Sequence, residues 1–181
     1  MGSRDRVRSR LAIGADDAGY PLKAVIARYL DELGVPYVDV GVDSSDPPAG
    51  PDPIDYPDVA ADVAIGIRDG RFDRGILVCG TGIGMAITAN KVPGVRAALA
   101  HDVYSAERAR MSNDAQVLTM GARVIGPELA KSIVKAWLES EFAGGQSSRK
   151  VAKIEDLETA LVEGSAVRSR LTRQPDTEEP Q

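Results

Sequence analysis

Short apolar runs and longer stripes of helical period alternate along this chain. Arg10–Gly14 is a short apolar run that leads into Ala15-Asp16-Asp17. From Leu22 to Leu33 the residues Leu22, Val25, Ile26, Tyr29, Leu30 and Leu33 recur at helical spacing. Gly34 stops that helix. Tyr37–Val40 reads as a second strand, and Asp43–Pro53, rich in Asp, Ser and Pro, as a loop. Pro57 suits the first turn of a helix that runs to about Asp69. Gly75–Val78 is a third strand, followed by a glycine-rich loop and a helix that ends near Val92-Pro93-Gly94. Val95–Ala100 is a fourth strand that delivers His101-Asp102, Val103–Met111 a short helix and Ala115–Met120 a fifth strand. Pro127–Phe142 is a helix with Leu129, Ile133, Trp137 and Leu138 on or near one face. Arg149–Leu161 carries the stripe Val151, Ile154, Leu157 and Leu161.

This alternation predicts an α/β fold: a three-layer αβα, Rossmann-like arrangement with a five-stranded parallel sheet. Ligands in such folds bind beyond the carboxyl ends of the strands. Three polar clusters are expected there: Asp16-Asp17, Cys79 with its glycine loop, and His101-Asp102. The last helix follows the flexible joint Gly144-Gly145-Gln146-Ser147-Ser148. It either covers the protein's own sheet or packs on a partner subunit, and the second arrangement implies a homodimer or a pair of dimers. We expect a charged extension over 1–9, one domain over 10–163, and a polar, disordered tail over 164–181 that contains Pro175 and Pro180.

Composition narrows the function classes. A hydrophobic content of 43% in 181 residues supports one real core. The net charge of -5 gives no electrostatic support to a nucleic-acid or membrane-surface partner. A single cysteine excludes an internal disulfide and fits a reducing cytoplasm. No apolar run approaches the ~20 residues of a membrane span, and the charged N-terminus lacks the apolar segment of a secretory signal. With one histidine and no Cys/His cluster, no structural zinc or other metal site is expected.

The chemistry concentrates in Cys79-Gly80-Thr81-Gly82-Ile83-Gly84. A strand, a tight loop and a helix start in that order point backbone N–H groups into one space beside a positive helix end, which favours an anion. A thiol at the loop entrance sits in the same field, which favours thiolate. A thiolate beside an oxyanion pocket suits proton abstraction next to a carbonyl. The plain alternative is a small buried cysteine before an ordinary turn. The loop is not the dinucleotide fingerprint, because the third glycine comes one residue early, and no Gly-Lys-Ser/Thr follows to make a P-loop.

Several separate motifs, in order, resemble the ribose-5-phosphate isomerase B / galactose-6-phosphate isomerase family from about Leu11 to Leu161. They are Gly14-Ala-Asp16-Asp17-Ala-Gly19, Asp55-Tyr56-Pro57, Cys79 through Gly84, Ala89-Asn90-Lys91-Val92-Pro93-Gly94-Val95-Arg96-Ala97, Asp102-Val-Tyr104-Ser105-Ala106, Ser112-Asn113-Asp114-Ala115, and Gly121-Ala-Arg123-Val-Ile-Gly126. The resemblance implies cofactor-free interconversion of aldose and ketose phosphates through an enediol. Cys79 would be the base. The N–H groups of Gly80, Gly82, Ile83 and Gly84 would hold the enediolate oxygens, with Thr81 near. Asp16, Asp17 and Tyr56 would line the pocket, and Asn113 would contact sugar hydroxyls. Asp16 has a second reading as a helix N-cap.

The departures matter too. Asp17 stands where the first motif commonly has His, and Ser112 where the family has the His that opens the sugar ring. Gln146 and Lys150 replace two phosphate-binding arginines, with Arg149 beside Lys150. Arg149 and Lys150 are therefore candidates for the phosphate, across a subunit interface if the last helix crosses. A tetrose 4-phosphate has its O4 esterified and cannot close to a furanose, so its isomerase needs no ring-opening residue. Family members assigned to erythrulose 4-phosphate also lack this His and carry Ser-Asn. The resemblance thus points to a short-chain sugar phosphate, ribose 5-phosphate by family default and a tetrose phosphate by the missing His. In the rival reading His101 takes over ring opening; in a third, His101 is structural. A different class of function, the non-catalytic chain of a hetero-oligomeric isomerase, is opposed by the presence of Cys79. A nucleotide-binding stress-type domain on a similar sheet is opposed by the lack of a suitable phosphate loop.

Overall fold

Five strands alternate with helices: β1 (Leu11–Ala15), β2 (Tyr37–Asp39), β3 (Arg74–Cys79), β4 (Ala97–Leu99) and β5 (Val117–Gly121). They form one parallel sheet in the order β2-β1-β3-β5-β4. The computed structural model describes residues 10–46 and 53–164. The extension expected over 1–9, part of the loop expected over 43–53, and the tail expected beyond Gly164 lie outside the described residues. Among those described, the helices are α1 (Tyr20–Glu32), α2 (Tyr56–Arg68), α3 (Ile83–Ala89), α4 (Val103–Met111), α5 (Pro127–Glu139) and α6 (Gln146–Val162).

The three central strands are buried along their whole length, and helices cover both faces, so they read as nearly continuous apolar runs, interrupted by Arg74 in β3 and Thr119 in β5. Strand alternation divides the core in two. Leu11, Ile13, Ile76, Val78, Leu118 and Met120 pack with α1, α4 and α5. Ala12, Leu77, Cys79 and Val117 pack with α2 and α3 on the opposite face. The expected three-layer parallel architecture is therefore the observed one.

Several boundaries differ from the sequence expectation for local reasons. Strand β4 pairs in register over Ala97–Leu99; just before it the Arg96 N–H donates to the Gln116 side chain, at Oε1, at 2.8 Å rather than to the backbone. Helix α3 stops at Ala89, where the Asn90 side-chain amide donates to Ala86 O and to Ala97 O, each at 2.8 Å. Helix α5 stops at Glu139 because the buried Arg74 guanidinium takes up the carbonyls of Leu138 and Ser140, both at 3.2 Å. Its buried face is Ala130, Ile133, Val134 and Trp137, and Leu129 is exposed. Helix α6 starts at Gln146, directly after Gly144 and Gly145 at positive φ. It lies beside the segment that precedes β4, where Glu155 pairs with Arg96 and the Gly94 N–H donates to the Glu158 carboxylate at 2.7 Å. Of its apolar stripe only Val151 is buried; Ile154, Leu157 and Leu161 stay exposed on the single chain.

Candidate active site

The chain leaves β1 toward β2 on one side and β3 toward β5 on the other, so the carboxyl ends of β1 and β3 flank a topological switch point. Cys79 is the last residue of β3, and strand alternation turns it to the α2–α3 face. The following loop folds straight back on it: the Gly82 N–H donates to Cys79 Sγ at 3.1 Å. Gly82 has φ +78°, and a side chain there would also press into the Met120 backbone, so only glycine suits the turn. The Ile83 N–H is directed at Thr81 Oγ1 at 3.4 Å. Of the loop amides expected to hold an anion, two therefore have internal acceptors in this structure.

Asp16 and Tyr56 converge on this loop from neighbouring elements, and Asp17 follows Asp16 in the same turn. The turn after β1 lies across Cys79 so closely that a Cβ on Gly19 would stand 2.9 Å from Cys79 Cα. The Asp16 carboxylate closes that turn by accepting the Gly19 N–H at 2.8 Å. Gly19 precedes α1, so this bond does not satisfy an amide inside the helix. Burial pushes the Asp16 carboxyl above the usual carboxylate range, and the Asp17 charge adds to the effect. The Gly19 amide and the more distant Arg123 charge oppose it. Tyr56 opens α2, where the Asp55 N–H donates to the Asp58 carboxylate at 2.9 Å and Pro57 enters the first turn. The Tyr56 ring lies directly against Gly84.

Arg123 is the site residue that the sequence reading passed over. The turn after β5 is tied to the Cys79 loop by Ala122 N–H to Cys79 O at 2.9 Å and Arg123 N–H to Gly80 O at 3.0 Å. This brings the guanidinium over the loop: a Cβ on Gly80 would stand 3.4 Å from Arg123 Nη1. The available signal was that Arg123 is the only charged residue between β5 and α5.

His101 lies at the same edge, beyond β4, and its Nε2 accepts the Gly121 N–H at 3.0 Å. Asp102 next to it caps α4, accepting the Ser105 N–H at 2.7 Å and the Ser105 hydroxyl at 2.6 Å. The hydroxyl and then the amide hold the Asp102 carboxyl below the usual range. Among the described residues no three His, Cys, Asp or Glu side chains gather as metal ligands, and no helix is long and apolar enough to cross a membrane.

Ser112, Asn113, Arg149 and Lys150 are not part of this cluster within one chain. Helix α4 leaves the carboxyl end of β4 and returns, so Ser112 and Asn113 follow it at the amino-terminal edge of the sheet. There the Arg96 side chain donates to Asn113 O at 3.2 Å. The start of α6, with Arg149 and Lys150, follows α5 to the same edge. The five-residue β5 alone separates the two edges by roughly 16 Å.

The model of the family described as Ribose/Galactose Isomerase matches residues 11–154. A protein of Pectobacterium atrosepticum named D-erythrulose-4-phosphate isomerase is 58% identical over 144 residues, which cover 80% of this chain and 91% of the relative. A protein of Listeria innocua named ribose-5-P isomerase B is 49% identical over 149 residues, covering 82% of this chain and 97% of the relative. Among solved structures, ribose-5-phosphate isomerase B of Clostridium thermocellum matches with a TM-score of 0.78 at 42% identity, covering 84% of this chain and 99% of that one.

Proposed function

This chain belongs to the ribose/galactose isomerase family, and from that footing we propose that it interconverts D-erythrulose 4-phosphate and the matching four-carbon aldose phosphate. Deprotonated Cys79 takes the proton from the carbon beside the substrate carbonyl. The electron pair moves onto the carbonyl oxygen and gives an enediolate. A proton passes from the hydroxyl on the deprotonated carbon to the former carbonyl oxygen, and the new carbonyl forms at the deprotonated carbon. The proton held by Cys79 returns to the former carbonyl carbon, which regenerates the thiolate, so no redox partner is required. Free amides of the glycine loop and the Arg123 cation offset the enediolate charge. Asp16 and Tyr56 bound the pocket. The observation that carries the proton-transfer step is the convergence of Asp16, Tyr56 and Arg123 on a thiol that already receives the Gly82 N–H. Nothing in the site or among the relatives supports a non-catalytic partner chain.

The tetrose reading rests on Ser112, which leaves the Ser-Asn pair without a ring-opening His. The higher identity to the relative named for erythrulose 4-phosphate points the same way. A second copy of the chain would supply what one chain keeps apart: Ser112, Asn113, Arg149 and Lys150 from one subunit would meet Cys79 of the other. Exposed Ile83 and Ile87 on α3, with Ile154 and Leu157 on α6, offer apolar surface for such a homodimer. Arg149 would grip the phosphate in bidentate fashion and Lys150 as a point charge.

The test is to assay the purified protein on erythrulose 4-phosphate and on ribose 5-phosphate. We expect the larger kcat/KM with the tetrose, and Ser112→His should raise turnover of ribose 5-phosphate while doing little for the tetrose. Faster turnover of ribose 5-phosphate by the natural sequence would overturn the tetrose reading, and turnover of neither would overturn the isomerase reading.

A further inference from the structure

His101 lies two residues beyond β4, and its imidazole hydrogen-bonds to the neighbouring strand, where Nε2 accepts the Gly121 N–H at 3.0 Å. The ring proton therefore resides on Nδ1. Gly121 is the last residue of β5 and opposes Cys79 in the sheet register. It is also the pivot of the next turn, because its carbonyl accepts the N–H groups of Val124 at 3.0 Å and Ile125 at 3.2 Å. Arg123 stands inside that turn. On its other side the turn is tied to the Cys79 loop by the Ala122 and Arg123 amides, and Gly121 itself packs on the Thr81 backbone. The Arg123 side chain gains its place over Gly80 from this frame of backbone bonds, and His101 supplies the side-chain acceptor at its pivot, Gly121.

We propose that His101 is a positioning residue, which holds the Gly121–Ile125 turn through Nε2 and so keeps the Arg123 guanidinium over the glycine loop of the active site. It rests on the isomerase reading only for the use made of the Arg123 charge. Loss of the acceptor leaves the Gly121 amide without a partner at a partly buried position. The turn then relaxes, and the cation moves off the loop. Ring opening by His101 is not needed in this account, because Nε2 is already committed to the backbone.

The experiment reads the Arg123 charge at Cys79 without any substrate. Full-length protein is labelled separately with iodoacetate and iodoacetamide, and the ratio of the two rates at Cys79 is followed by mass spectrometry. A cation over the loop favours the anionic reagent, so Arg123→Ala should lower the ratio on the order of tenfold. His101→Leu should lower it to the same extent, and His101→Gln, whose Oε1 can take the place of Nε2, should recover most of it. His101→Asn, polar but too short to reach Gly121, should behave like His101→Leu and serves where the leucine variant does not fold. The double variant His101→Leu/Arg123→Ala should be no worse than Arg123→Ala alone. In isomerase assays His101→Leu should change KM and kcat in the same proportions as Arg123→Ala. An unchanged labelling ratio in the Leu and Asn variants, no recovery with Gln, or additive losses in the double variant would each overturn the proposal. Failure of the natural protein to isomerise any sugar phosphate would appear only in the assays and would count against the function, not against the role of His101.

Discussion

At the residue scale, Cys79 and Asp16 make contrasting predictions. The Cys79 side chain is buried, and its one hydrogen bond comes from Gly82. Alanine fits that space, so Cys79→Ala should keep its circular dichroism and melting profile. Its turnover should fall by ~10²–10⁴, the usual contribution of a positioned base; a variant that still turned over would remove Cys79 from the mechanism. Asp16 carries a folded-state pKa raised above its unfolded value, chiefly by burial. The folded protein therefore binds more protons than the unfolded chain between those two values, and stability falls as pH rises through the folded-state pKa. Asn keeps an oxygen for the Gly19 amide and cannot ionise. Asp16→Asn should thus melt higher than the natural protein near pH 7, and the difference should vanish near pH 3, below the ordinary aspartate range of about 3.9. A melting difference that grows toward acid would contradict this account. Cys79, Asp16 and Tyr56 were legible in the sequence because each sits in a short motif at an element end. Arg123 was in an equally visible motif, but its role depends on two backbone bonds across strands, from Ala122 and Arg123 to the Cys79 loop, which no local pattern encodes.

At the element scale, strands and helices were legible wherever periodicity and a stop signal agreed, as with Leu22, Ile26, Leu30 and Gly34 around α1. The misread features have side-chain causes from distant positions. Lys23, which the apolar stripe of α1 does not include, is buried there all the same, and its ammonium meets both Asp39 carboxylate oxygens at 2.8 Å. The end of α5 was placed too late because its stop comes from Arg74, far away in sequence. The Arg74 guanidinium also bonds Glu141 at 2.9 Å, and burial lowers the pKa of Arg74, with the Arg110 charge adding to that and Glu141 opposing. Arg74→Met should fill the apolar part of the site but leave the Leu138 and Ser140 carbonyls without their partner. We expect a loss of about 1–3 kcal/mol, the cost of stranded buried hydrogen-bonding groups. Urea unfolding should show it as a lower midpoint with an unchanged slope. An unchanged midpoint would mean that water serves the end of α5 as well as Arg74 does.

At the scale of the whole molecule, the sheet and the Cys79 edge followed from the order of elements, but the division of the family residues between two edges did not. The motifs at Cys79 and at Asn113 read as one site only through the family resemblance; helix α4 carries the second away to the far edge. If two subunits build each site, as we propose, defects at the two edges must complement one another. Cys79→Ala and Asn113→Ala homodimers should each be nearly inactive. In a mixed dimer one site collects both defects, while the other combines an intact Cys79 from one chain with an intact Asn113 from its partner. Random reassortment makes about half of the dimers mixed, with one sound site in each, so the mixture should recover about a quarter of natural activity. Recovery should appear only under conditions that let subunits exchange, and light scattering should show the dimer or a multiple of it throughout. A mixture that stays inactive after demonstrated exchange would place Cys79 and Asn113 in the same chain's site, which their separation by the length of β5 makes hard to build without refolding α4.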